Sequence, residues 1–256
     1  MAVLLVFLEV KSVSQSKVKG NRMHLKSLTL LLILTFSLFC SEQKPNFDPN
    51  LTFASTPIAG VLPYYKGEIM DPYWSQEGQK PADLKQIPEI PLTSHQNAPF
   101  NRNMFLGKYS LVTFFYAKCT GICPLITRNI KNFFPRLKDQ PLVQVVSISV
   151  NPEIDTVHEL IKFRKAYKID QQNWFHLTGP KALIYDLARN QFNADVQVIK
   201  GQANLNDFVH TENIFLIDTK GYLRGVYRAK GTGDLDRLLA EMDTLKSEVE
   251  DKVPLK

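Results

Sequence analysis

The chain has 256 residues, 44% of them hydrophobic and 22% charged, which gives room for one sizeable domain with accessory segments and excludes a wholly disordered polymer. The formal net charge is +6, but residues 1–40 hold five Lys/Arg against one acid. Taking those from totals of 31 and 25 leaves 26 basic and 24 acidic residues in 41–256, a net of +2. A nucleic-acid-binding protein keeps its positive charge on the folded domain, so that class is set aside.

Residues 27–40 carry no charge and follow Lys26. The run is short of the ~20 residues that span a bilayer, but it suits the apolar region of a signal peptide. It ends on Cys40, and the polar run Ser41-Glu42-Gln43-Lys44-Pro45 follows. The arrangement resembles a bacterial lipoprotein signal, with Cys40 as the lipidated residue, although Phe39 is larger than the small residue usual there. The leader therefore covers 1–40, and a start at Met23 would leave 1–22 untranslated. The folded part is expected to be exported to the periplasmic side and tethered to a bacterial membrane.

Residues 41–85, rich in Pro, Asn, Tyr and Gln, read as a tether and an irregular approach segment whose Tyr64, Tyr65, Tyr73 and Trp74 pack onto the domain surface. From about residue 86 strand and helix patterns alternate. Strands are expected over 110–116, 143–150, 174–177, 213–218 and 222–227, the last two pairing antiparallel through the turn at Lys220-Gly221. Helices are expected over 124–137, 155–167 (Leu160, Ile161 and Phe163 inward), 180–192 and 234–245. This alternation argues for a layered α/β domain over 86–247 with a central sheet, followed by a charged tail over 248–256.

Two of the three cysteines, Cys119 and Cys123, lie between the first of these strands and Pro124, which opens a helix. The partial positive charge of a helix start favours thiolate over thiol, and a thiolate is both a redox nucleophile and a soft metal ligand. By themselves the cysteines leave electron transfer, disulfide exchange and metal binding open.

Strand, two-cysteine loop, helix and closing hairpin–helix together resemble the thioredoxin superfamily, and within it the Sco/SenC family, whose members handle copper for cytochrome c oxidase assembly. Cys119-Thr-Gly-Ile-Cys123-Pro124 matches the family's C-x-x-x-C-P, and Ser147-Ile-Ser-Val-Asn151-Pro152-Glu153-Ile-Asp155-Thr156 its strand-end motif. Trp174 through Leu177-Thr178-Gly179 matches its Trp…Leu-Thr-Gly stretch, and His210-Thr211 with the strand to Asp218 and Gly221 its histidine region. The resemblance implies a thioredoxin-like α/β fold, a central mixed sheet flanked by helices. It also implies one copper ion, Cu(I) or Cu(II), held by Cys119, Cys123 and His210, a donor set suited to copper in either state. The implied role is a metallochaperone rather than an enzyme. It would deliver copper to the oxidase subunit that bears the copper A centre or to another copper donor or acceptor, or reduce that centre's cysteines.

The alternative is a membrane-tethered thiol–disulfide oxidoreductase, with Cys119 as the attacking and Cys123 as the resolving thiol. Such reductases carry a proline before the penultimate strand and a C-x-x-C spacing. Here no proline lies between Pro180 and Pro254, and three residues separate the cysteines. Asn151 and Val209 stand where the family usually has aspartate, so a weaker Cu(II) site is expected while Cu(I), dominated by thiolates, is less affected. Lys118 is placed to favour the thiolates. His95, His158 and His176 read as structural or solvated.

Overall fold

The computed structural model describes residues 56–75, 82–137, 142–194, 197–198, 208–209 and 212–250. The leader over 1–40, and Cys40 with it, lies outside them. No helix among the described residues is long and apolar enough to cross a membrane.

The stretch read as irregular contains a short hairpin, β1 (Tyr64–Lys66) with β2 (Asp71–Tyr73). The main sheet then begins with β3 (Leu92–Ser94) and β4 (Pro99–Phe100). Its centre is β5 (Tyr109–Phe115), β6 (Val143–Ser149) and β7 (Trp174–Thr178). A small pair, β8 (Gln197–Val198) and β9 (Phe208–Val209), stands apart from it. β10 (Asn213–Ile217) and β11 (Leu223–Arg228) complete the seven-stranded order β11-β10-β5-β6-β7-β3-β4. β5, β6 and β7 run parallel and all other neighbours antiparallel, so the sheet is mixed, as expected.

Every residue of β5 and β6 is buried. That suits central parallel strands covered on both faces, whose sequences read as continuous rather than alternating apolar runs. Helix α1 (Cys123–Phe133) links β5 to β6 and α2 (Val157–Ala166) links β6 to β7. Right-handed crossovers in one direction place both on the same face. There Phe115 meets Phe163 at 5.0 Å between ring centroids. The opposite face is filled by Phe114, Phe192 and Phe215, whose centroids lie 4.7–6.2 Å apart. The expected 180–192 helix is α3 (Lys181–Asp186) continued by a π turn over Leu187–Gln191, and α4 (Thr232–Glu250) closes the chain.

One expectation about α2 fails. Leu160 and Phe163 are buried, but Ile161 is 49% exposed. Leu160, Phe163 and Arg164 stand at i, i+3 and i+4 and take the inner face. Ile161 sits about 100° around the helix from Leu160.

At the β10–β11 hairpin the register slips between Leu216 and Ile217, leaving Arg224 with no residue opposite. Such a bulge re-aims its side chain. Arg224, 3% exposed, donates Nη1 to Asp218 (3.2 Å) and Nη2 to Glu248 of α4 (2.7 Å). Its Nε and Nη2 also reach the carbonyls of Pro63 (3.0 Å) and Leu62 (2.7 Å). The guanidinium lies 4.1 Å from the ring centroid of Tyr64, which packs edge-on against Tyr222, so that aromatic does pack onto the domain. Glycine is obligatory at the neighbouring Gly225, where a Cβ would fall 2.2 Å from the hydroxyl of buried Tyr227. That hydroxyl is fixed on Glu241, 2.5 Å away.

Candidate metal centre

The sulfur loop leaves the C-terminal end of β5. After Tyr116 the chain turns back on itself, Cys119 N–H donating to the Tyr116 carbonyl at 3.3 Å. Four residues later α1 starts at Cys123 with Pro124 in its first turn, where a missing N–H costs nothing because the first turn has no intrahelical acceptor. The Ile122 carbonyl accepts from Leu125 (3.0 Å) and Ile126 (3.1 Å), anchoring that turn. Cys123 is 2% exposed, whereas Cys119 is half-buried. The two side chains hydrogen-bond to one another in the dithiol state.

This arrangement corrects the thiolate expected from the helix start. The hydrogen bond to Cys119 raises the Cys123 thiol well above its ordinary value, and burial raises it further. Losing the proton would set negative charge against a second sulfur in a dry setting. A backbone hydrogen bond from Tyr116 pulls the other way without prevailing. A soft cation in contact with both sulfurs would replace that proton.

Asp155, named in the sequence only as part of a motif, turns out to brace the loop. It is 1% exposed, and its Oδ2 accepts from Ala117 N–H (2.9 Å) and Ser149 Oγ–H (2.6 Å). Its Oδ1 is buried with no hydrogen-bond partner among the described residues. Burial raises its pKa, opposed by those two hydrogen bonds and by the charge of Lys118. Lys118 itself is exposed and is felt at Asp155. No sequence signal separates this acid from a solvated one, because its burial depends on how β6 returns beneath the loop.

Asn151 is buried in the same connection, its carbonyl accepting from Ile154 (3.1 Å) and Asp155 (2.9 Å). Val209 lies in β9 opposite Gln197. His210 and Thr211 lie outside the described residues. Of the other histidines, His158 is exposed, while half-buried His95 meets fully buried His176 with centroids 6.2 Å apart. Burial and the charge of Arg164 hold His95 down to about 4 and His176 well below its ordinary value. His176 is structural, and His95 is half-buried with its Nδ1 accepting from His176 N–H at 3.3 Å.

Among the described residues no group of three or more His, Cys, Asp or Glu is close enough to hold a metal ion. The sulfur pair is where soft donors converge, and two thiolates suit a soft, low-coordinate ion such as Cu(I). Two adjacent thiols also suit disulfide exchange.

Comparison with known proteins bears on both. A SCO1 protein homologue of Bacillus subtilis (strain 168) is 27% identical over 138 residues, 53% of this chain and 70% of that protein. The crystal structure of a SCO1/SenC family lipoprotein from Bacillus anthracis superposes with a TM-score of 0.58 at 24% identity, covering 63% of this chain and 95% of that one. ScoI of Arabidopsis thaliana, solved with copper bound, gives 0.52 at 20% identity, covering 61% and 98%. These structural likenesses establish the thioredoxin-like fold. The family model described as SCO1/SenC matches residues 80–246, the cysteine loop and all seven strands of the main sheet included, and the chain belongs to that family.

Proposed function

We propose that this protein carries copper as cargo, with Cys119 and Cys123 as sulfur ligands and His210 as the imidazole that completes a three-coordinate site. The observation that carries the reading is the contact between the two cysteine side chains, one buried and one half-exposed. The buried sulfur fixes the site, and the exposed one gives an incoming acceptor a place to begin ligand exchange. Family membership and the copper held by the Arabidopsis relative support it. The recipient is the copper A-bearing subunit of cytochrome c oxidase or another copper protein. The working domain covers 86–247, and a lipid on Cys40 tethers it on the periplasmic side through 41–85. The lipoprotein from Bacillus anthracis supports the lipid tether.

The test is copper titration of the chain beside Cys119→Ser, Cys123→Ser and His210→Ala. Either serine variant loses Cu(I) binding by at least about tenfold, as removal of one of two principal thiolates requires. His210→Ala loses Cu(II) while keeping Cu(I). A wild-type chain that binds no copper yet readily reduces a protein disulfide overturns the reading in favour of the oxidoreductase.

A further inference from the structure

Beneath Cys123 the face of the sheet covered by α1 is not wholly apolar. Thr113 of β5 stands beside Ser147 of β6, and Ser147 beside His176 of β7, in one lateral row across the three parallel strands. All three are at most 3% exposed. A cavity of about 10 Å³, room for one water, is lined by these residues together with Cys123, Thr127 and Trp174.

The hydrogen-bond inventory of this row does not close. Trp174 Nε1 can only donate and does so to Ser147 Oγ at 3.0 Å. The Thr113 and Ser147 hydroxyls share one bond of 3.2 Å. Two hydroxyls carry two protons and that bond uses one, so the other has no acceptor assigned among the described residues. His176 is more constrained still. The Arg164 guanidinium sits 3.2 Å from His176 Nδ1, and a guanidinium has no acceptor. Nδ1 must therefore accept, which places the proton of the neutral ring on Nε2. That N–H has no acceptor assigned among the described residues either. Buried polar groups left this way are destabilising, and a water that reaches both removes the cost.

We propose that the cavity holds one water, which accepts from His176 Nε2–H and from the hydroxyl pair and donates to the sulfur of Cys123. Arg164 and His176 are then positioning residues for the sulfur pair. Arg164 fixes the tautomer, His176 orients the water, and the water presents a donor to a sulfur that must carry negative charge once its proton is gone. Hydrogen bonds to ligand sulfur tune both its basicity and the potential of the site. The inference takes Cys123 as the working sulfur of the proposed function, but its test needs no metal.

The experiment is equilibration of the metal-free full-length chain with reduced and oxidised dithiothreitol at about pH 7, for wild type and His176→Phe. Phenylalanine keeps a ring beside Trp174 and Phe115, 5.5 and 5.3 Å away in the wild type, and removes the N–H. Arg164 keeps its bonds to the carbonyls of Trp174 and Gln171. Cys123 keeps its proton in the metal-free dithiol and its sulfur is then a weak acceptor, so losing the donor favours the Cys119–Cys123 disulfide by about threefold, or about 14 mV for a two-electron couple. A purely structural histidine changes the melting temperature and leaves this equilibrium where it was, which overturns the proposal. Should His176→Phe not fold, nitrogen-15 spectra of the wild-type chain decide. An Nε2–H tautomer with a magnetisation-transfer contact to water supports the proposal, and an Nδ1–H tautomer overturns it. If the equilibrium shifts in a chain that binds no copper, the copper reading fails and this one stands.

Discussion

Two clusters of buried polar side chains, around Arg224 and around Asp155, lie toward opposite ends of the central strands and are built differently. At the end where β10 meets the first residues of β5, Arg224 spends its donors on Asp218, Glu248 and the carbonyls of Leu62 and Pro63. Asp218 Oδ1 accepts from the N–H groups of Lys220 and Tyr222 at 2.9 Å each, and Glu248 Oε1 from Leu62 N–H at 2.6 Å. At the other end, under the cysteine loop, Asp155 has a buried oxygen with no partner among the described residues, and Cys123 has a thiol whose ionisation its surroundings oppose. A satisfied cluster makes a joint. An unsatisfied one holds chemical potential that a ligand or a redox change can release.

Three substitutions sharpen or break that contrast. The largest effect belongs to the joint. Arg224→Ala leaves the buried Asp218 and largely buried Glu248 carboxylates without their shared cation and costs about 3–5 kcal/mol in denaturant unfolding. A loss under about 1 kcal/mol would mean that the approach segment is held by something else.

Asp155→Asn probes the other end. Its folded-state pKa is raised, chiefly by burial, so folding favours the protonated acid. The stability it contributes is complete below its unfolded pKa and is lost as pH rises through the folded value. Asparagine can still accept from Ala117 and Ser149 and carries no charge. The variant therefore matches wild type at about pH 3 and gains on it toward about pH 7, measured as Tm across that range. An unchanged difference across the range would place the carboxylate outside the accounting. The smallest effect is at the loop itself. A Cβ on Gly121 would lie 3.8 Å from Cys119 Sγ, ordinary contact, so Gly121→Ala shifts stability by no more than about 0.5 kcal/mol. A larger loss would show that the loop is tighter than its geometry.

What the sequence revealed follows the same divide. The strands at 110–116 and 143–150 were legible because a strand covered on both faces reads as an unbroken apolar run. The two-to-three-residue strands β1 to β4 fall below any periodicity window and exist through their pairing. The cysteine loop was legible from its position between strand and helix. The state of Cys123 was not, since the helix start argued for thiolate and burial against a second sulfur decided otherwise. His176 read only as structural or solvated, because only the alignment of β6 with β7 sets it beside Ser147. His210, the third donor proposed, lies outside the described residues, and its place rests on the family motif.

The clasp at Arg224 also has a mechanical side. Leu62 and Pro63 are gripped at the strand end opposite the cysteine loop. A pull along the approach segment therefore falls first on a guanidinium braced on two carboxylates. The sulfurs lie at the other pole, so load on that segment reaches them only through the length of the strands.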